Sequence, residues 1–360
     1  MSRGYTTHDR RFLASFVGAG WEPYHLPLLE ERLDHRALPE GVESLTLSRQ
    51  MDDVAEETRV DELRSTLGDL RPDVVIAGPI QTGAYVAASA GADPLVAVSW
   101  GSDVLVDADA TAANRERTRY VFDHSALAFG DCRAVREAIK RHSELPDERI
   151  ITFPWGIDLR LFQPGVSTLG LRQGLGWTSC HTFISTRTWE PVYAIDVLLD
   201  AFRLVLDRDD RARLILLGNG SQEREILGLI DSLDLATTVY APGRVSQALL
   251  PDYFRESDVY VSSALSDGTS VSLLEAMACG LPVVVSNSYG NLEWVTPGTN
   301  GELAEPGNVA SLARAMLSVA EDPSRRTEMG KRNVEVARSR ADWDTNVAEL
   351  VRRIEEVASR

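Results

Sequence analysis

Lysine is nearly missing from this 360-residue chain: of its 37 basic residues only Lys140 and Lys331 are lysines, the rest arginine. Any anion site must therefore rest on guanidinium groups or backbone N–H donors. Cysteine is also scarce. Cys132, Cys180 and Cys279 are few, odd in number and far apart, which excludes a disulfide framework or a thiolate metal site and fits a reducing cytoplasm. The six histidines show no ligand spacing, so no metal is expected. No run of eighteen apolar residues exists to span a membrane. The opening MSRGYTTHDRR lacks the apolar core of a secretory signal. Positive charge is in deficit too, with a net charge of −17 and no clustered Lys/Arg. That excludes sequence-independent nucleic-acid binding and disfavours an anionic membrane surface.

The chain does carry short β-branched runs alternating with amphipathic segments. Strands are expected at 22–26, 44–48, 73–77, 95–99, 126–129 and 150–153, then at 183–186, 213–217, 238–240, 258–262 and 283–286. Helix-period stretches lie between them, at 53–67, 82–90, 133–141, 195–207, 222–233 and 247–256. Continuous apolar strands alternating with helices predict parallel sheets buried on both faces. The fold class expected is α/β, with two doubly wound, Rossmann-like domains facing a central cleft. The Pro/Gly-punctuated stretch WGIDLRLFQPGVST marks the linker. The expected domains are 1–160 and 161–340, with a C-terminal helix, 341–360, packing back on the first. One irregularity stands out: a doubly wound domain normally opens on a central strand, but GYTTHDRRFLASF reads as a loop and a helix. Either that first strand is absent or the recorded start lies downstream of the natural one.

Residues 266–286, SDGTSVSLLEAMACGLPVVVS, form a strand-to-loop-to-helix-to-strand unit with DVYVSS before it. Ligands of such sheets bind beyond the carboxyl ends of the strands. Thr269 or Ser270 suits the N-cap and Gly280, before Pro282, the stop. The first N–H groups, around Ser270, Val271 and Ser272, then form a phosphate pocket at the positive helix end, and Gly268 permits close approach. Asp267 in the loop and Glu275 one turn into the helix suit two separate sets of hydroxyls. A nucleoside diphosphate sugar has that layout, and a purposeless buried Glu275 among LLEAMA would be costly.

This segment resembles the E-x7-E signature of the retaining GT-B glycosyltransferases of family 4, with Asp267 in the first acidic place and Glu275 in the second. PWGIDLRLFQP, STRTWEPVYAIDVLLDAF, LILLGNGSQEREI, VYAPGRVSQALLPDYFRESDVYVSS and PGTNGELAEPGN resemble, in order, further motifs of the same family. The resemblance implies that Glu275 binds the donor ribose and Asp267 the transferred sugar. It implies that amides from Gly268 through Thr269, Ser270, Val271 and Ser272 hold sugar and pyrophosphate. Arg187 would sit on the diphosphate and stabilise it as it leaves, a charge-stabilising role.

Two positions depart from the family. Its donor-phosphate lysine falls at Val192 or Tyr193, with Arg244 a candidate substitute, and Trp100 stands in the histidine place of the loop VSWGSDV, where Asp103 is kept as a catalytic candidate or a loop cap. In the early loop, Gly4 is a candidate for the donor phosphate. Thr7 and His8 are candidates for the acceptor, Thr7 and Asp9 serving equally well as helix caps; Gln81 and Trp100 complete the acceptor candidates. Asp107–Asp109 matches a metal-binding D-x-D only as a common chance pattern at a helix start. The implied reaction is metal-independent transfer, with retention, from a nucleoside diphosphate sugar to a hydroxyl acceptor. No cofactor is expected beyond that co-substrate, a UDP-sugar being favoured over a GDP-sugar. The acceptor would be a small molecule, a lipid-linked compound or a glycan, and the protein a monomer or homodimer. A same-fold nucleotide-sugar epimerase and a non-catalytic nucleotide-sugar binder remain the alternatives.

Overall fold

The structure is a computed structural model that describes residues 1–2, 4–28, 36–47 and 56–359. Position 48 of the expected second strand and positions 53–55 of the expected helix 53–67 lie outside the described residues. The chain divides into two compact units, Met1–Pro154 with Asp344–Arg360, and Trp155–Trp343.

In the first unit, β1 (Tyr24–His25) pairs with β2 (Glu43–Ser44) in parallel. A separate four-stranded sheet holds β3 (Val75–Ala77), β4 (Leu95–Val98), β5 (Leu127–Gly130) and β6 (Ile150–Thr152), parallel and in chain order. Strands β4 and β5 are buried throughout, as continuous apolar runs covered on both faces must be. The helix Thr7–Gly18 precedes β1, and its N-cap is Thr6, which forms a capping box with Asp9. Thr7 is therefore the first helical residue and not the cap; Thr6 wins because only the residue before the first turn has the extended backbone that aims its side chain at the N3 amide. The C-terminal helix Trp343–Ala358 belongs largely to this unit, where Trp21 donates to Glu355 (3.1 Å) and Asn346 to the Pro154 carbonyl (3.0 Å).

Met1 N donates to the Ile76 carbonyl (2.6 Å) and its carbonyl accepts from Gly78 N (3.2 Å). Ser2 N donates to the Leu26 carbonyl (3.3 Å) and its carbonyl accepts from Leu28 N (2.9 Å). Two residues thus make a parallel ladder on both sides, bridging the β1 side to the β3 side.

The second unit has one six-stranded parallel sheet in the order β12-β11-β10-β7-β8-β9. Its strands are β7 (His181–Ser185), β8 (Ala212–Leu217), β9 (Val239–Gly243), β10 (Val259–Ser262), β11 (Val283–Ser286) and β12 (Gly301–Ala304). The edge strand β12 is not among the expected strands: GELA is too short and polar to show β periodicity, and it pairs only because β11 presents a free edge. Chain order runs outward from β7 to β9, then restarts at β10 on the other side of β7. The carboxyl ends of β7 and β10 therefore flank the topological switch point, where open α/β sheets bind ligands. Trp155, Trp177, Trp189 and Trp294 are all buried packing residues.

Candidate functional site

Two residues beyond β7 comes Arg187, and five beyond β10 comes Asp267, so the switch point brings them face to face. Arg187 Nη2 lies 2.9 Å from Asp267 Oδ2, and Arg187 Nη1 donates to Ser270 Oγ (2.7 Å) and Ser272 Oγ (3.1 Å). The guanidinium lies over the Tyr193 ring, 4.0 Å from its centroid, a cation–π contact strengthened by burial. Tyr260 Oη completes the cluster against Ser272 Oγ (2.9 Å). Arg187 is only 9% exposed, and Asp267 and the two tyrosines raise its pKa against the opposing effect of burial. Burial pushes the Asp267 carboxyl above the ordinary carboxylate value, with Arg187 pulling the other way.

Ser270 caps the helix Val271–Ala278, its hydroxyl accepting from Leu273 N (3.4 Å) as well as from Arg187. Gly280, at φ +86°, ends the helix in the left-handed region. The helix start and Arg187 thus form one electropositive corner beside the Asp267 carboxylate. Glu275, on the same helix, is buried. Several polar atoms at the sheet's carboxyl end, namely Ser185 Oγ, Thr186 Oγ1, Ser262 Oγ and Ser288 Oγ, are buried without a hydrogen-bond partner among the described residues. Buried hydroxyls are rarely left so, and their grouping at strand ends fits a ligand-binding surface.

Two glycines hold the loops in place. A Cβ on Gly218, which sits at φ +119° just past β8, would strike the Arg187 carbonyl. One on Gly290 would overlap the Gly268 carbonyl. The GNG at 218–220, too short for a dinucleotide fingerprint, is thus a packing device for the Arg187 loop. Gly290→Ala is expected to displace the 267–270 loop and weaken nucleotide binding at least tenfold while the β-sheet signal in circular dichroism is kept; isothermal titration with nucleotide measures this.

Arg244 follows the edge strand β9, two strands away from β7, and is exposed. No contact joins it to the Arg187 cluster among the described residues. Tyr193, whose ring lies against the Arg187 guanidinium, adds no cation to the cluster.

In the first unit the candidates form a second cluster. Asp103 is buried and accepts from Ser99 Oγ (2.7 Å), Ile80 N (3.0 Å) and Trp100 N (3.1 Å). Burial raises its pKa and these bonds oppose the rise. Three donors converging on one carboxylate make Asp103 the brace of its loop. Gln81 Nε2 donates to the Asp103 carbonyl (2.7 Å) and to Thr118 Oγ1 (2.8 Å). The His8 and Trp100 rings are in contact, their centroids 5.5 Å apart, and burial, aided by Arg11, lowers the His8 pKa to about 4. Neutral His8 therefore stands beside Trp100. The Gly4 carbonyl accepts from Ser2 Oγ (2.7 Å), and Thr7 sits half-buried at the start of its helix.

Sequence reasoning missed the stacking of Tyr193 on Arg187, Tyr260, Ser272 as an Arg187 partner, and the packing roles of Gly218 and Gly290. Only the glycines left a local trace in the sequence.

The chain is similar to known proteins over its second unit in sequence and over most of its length in fold. Residues 178–336 match the family model described as glycosyl transferases group 1. A GDP-mannose-dependent monoacylated alpha-(1-6)-phosphatidylinositol monomannoside mannosyltransferase of Corynebacterium glutamicum is 28% identical over 187 residues, 49% of this chain and 48% of that one. A D-inositol 3-phosphate glycosyltransferase of Kribbella flavida is 30% identical over 198 residues, covering 51% and 45%. The chain spans about half the length of the curated relatives it matches. Among solved structures, sucrose-phosphate synthase from Thermosynechococcus elongatus superposes with a TM-score of 0.82 at 17% identity, over 98% of this chain and 93% of that one. Anabaena HepE in complex with UDP-glucose gives 0.75 at 22%, covering 89% and 86%. The fold is that of the GT-B glycosyltransferases.

Proposed function

We propose that this chain, whose residues 178–336 match the family model of glycosyl transferases group 1, is a glycosyltransferase using a nucleoside diphosphate sugar. The observation that carries the proposal is the switch-point corner. A buried arginine, a capped helix start and two carboxylates, Asp267 and Glu275, lie beyond β7 and β10.

The diphosphate is held by the amides of residues 268–272 and by Arg187. The sugar hydroxyls bind Asp267 and the ribose hydroxyls bind Glu275. The transfer is metal-independent and retains the anomeric configuration. The bond from the anomeric carbon to the diphosphate oxygen loosens, and the helix start and Arg187 meet the departing charge. The acceptor oxygen bonds to the same face, and its proton passes to the leaving phosphate oxygen. The acceptor contacts belong to His8, Trp100, Gln81 and Thr7, with Asp103 bracing their loop, and the acceptor hydroxyl belongs to a small molecule, a lipid-linked compound or a glycan.

One relative is named for GDP-mannose and one structural neighbour holds UDP-glucose, so the base is set by experiment. The test is a thermal-shift panel of UDP, GDP and their sugars, with UDP expected to give the largest shift. Saturation at a hundred times the dissociation constant stabilises by about 2.7 kcal/mol. If no nucleotide raises the unfolding temperature, the donor site is refuted. Stabilisation without turnover on any acceptor would mark a binder instead of a transferase.

A further inference from the structure

The turn after β11, residues 287–291, packs against the turn after β10 that carries Asp267. Gly290 meets the Gly268 carbonyl so closely that a Cβ there would overlap it and come within 3.0 Å of the Asp267 carbonyl. The residue just before it is Tyr289, whose side chain is 68% exposed. Among the described residues only Val166, in the linker, is a more exposed large apolar or aromatic residue. A single exposed tyrosine means little by itself. What sets Tyr289 apart is the turn that holds it.

That turn is fixed at both ends. Asn287 N donates to the Ala304 carbonyl (2.8 Å), and Leu292 N donates to the Ser288 carbonyl (3.2 Å). The buried Asn291 donates from Nδ2 to the Ser286 carbonyl (2.9 Å). The backbone of Tyr289 is therefore set beside the Asp267–Gly268 turn, while no hydrogen bond or ring contact engages its side chain among the described residues.

A hexopyranose offers hydroxyls at its edge and a patch of C–H groups on its face. A carboxylate such as Asp267 serves the edge only. C–H groups polarised by neighbouring oxygens suit the electron-rich face of an aromatic ring. A tyrosine has only two side-chain torsions to lose in providing one, and a backbone already fixed lowers the cost of ordering it further.

We propose that Tyr289 is a specificity-determining residue of the donor site: its ring covers the C–H face of the transferred hexose while Asp267 takes the hydroxyls. This rests on the donor site proposed above, and assigns to Tyr289 the sugar half of the donor and none of the nucleotide.

Isothermal titration of UDP, UDP-glucose, UDP-N-acetylglucosamine, GDP and GDP-mannose into the wild-type chain, Tyr289→Ala and Tyr289→Phe tests this. The readout is the ratio of two dissociation constants, that of the tightest-binding sugar nucleotide and that of its own nucleoside diphosphate. Tyr289→Ala is expected to weaken the sugar nucleotide about three- to tenfold and to leave the nucleoside diphosphate unchanged. Tyr289→Phe, which keeps the ring and drops the hydroxyl, is expected to match the wild type. In proton NMR the C–H resonances of the bound sugar are expected to move upfield under the ring current in the wild type and in Tyr289→Phe, but not in Tyr289→Ala. Equal weakening of sugar nucleotide and diphosphate would put the ring on the nucleotide. An unchanged ratio would take it off the donor, and a loss shared by Tyr289→Phe would make the phenol hydroxyl the contact. Each of these overturns the proposal. If no nucleoside diphosphate binds the wild type, the donor site itself falls, and the role of Tyr289 with it.

Discussion

Replacing Arg187 with alanine is expected to lower kcat for glycosyl transfer by about 10²- to 10³-fold. Arg187 is the cation of this corner among the described residues, Arg244 lying exposed beyond the edge strand β9. Its loss leaves the departing diphosphate to the helix amides alone. The same change strands Asp267, whose ion-pair partner at 2.9 Å disappears. Breaking a buried pair from one side costs about 3–5 kcal/mol of stability, less here to the extent that Asp267 takes up a proton, as its raised pKa favours. The double variant Arg187→Ala with Asp267→Ala separates the two effects. It is expected to recover much of the stability in urea unfolding while the transfer rate stays low. A full recovery of rate in the double variant would show that Arg187 serves only to neutralise Asp267.

Glu275→Ala is expected to remove most of the stabilisation that a nucleotide gives. A carboxylate accepting hydroxyl hydrogen bonds contributes about 1.5–3 kcal/mol, so affinity falls on the order of tenfold to more than a hundredfold. At a nucleotide concentration a hundred times the wild-type dissociation constant, a hundredfold loss cuts the stabilisation from about 2.7 to about 0.4 kcal/mol. The increment with and without nucleotide is the readout, which cancels any effect of the substitution on the free protein. An unchanged increment would move the ribose away from Glu275.

What was legible in the sequence is local. The eight-residue spacing of Asp267 and Glu275, the Ser270 cap and the Gly280 stop lie in one stretch, and each is read from a distance of a few residues along one helix. The pairing of Arg187 with Asp267 was not legible. It spans eighty positions and exists only because β10 returns to the side of β7. That pair joins the residue expected at the diphosphate to the one expected at the sugar. The stacking of Tyr193 on Arg187 was likewise not legible, and Gly218 and Gly290 show their purpose only when the backbone each one meets is in view.

The sequence by itself determined the class of the fold, its parallel strands and the helix start on which the donor corner is built, because propensity, periodicity and capping act over short spans. Only the tertiary structure decided which strands stand side by side. Strand β10 returns to the side of β7 and brings Asp267 to Arg187, because strand partners are chosen by crossover connections that no short window contains.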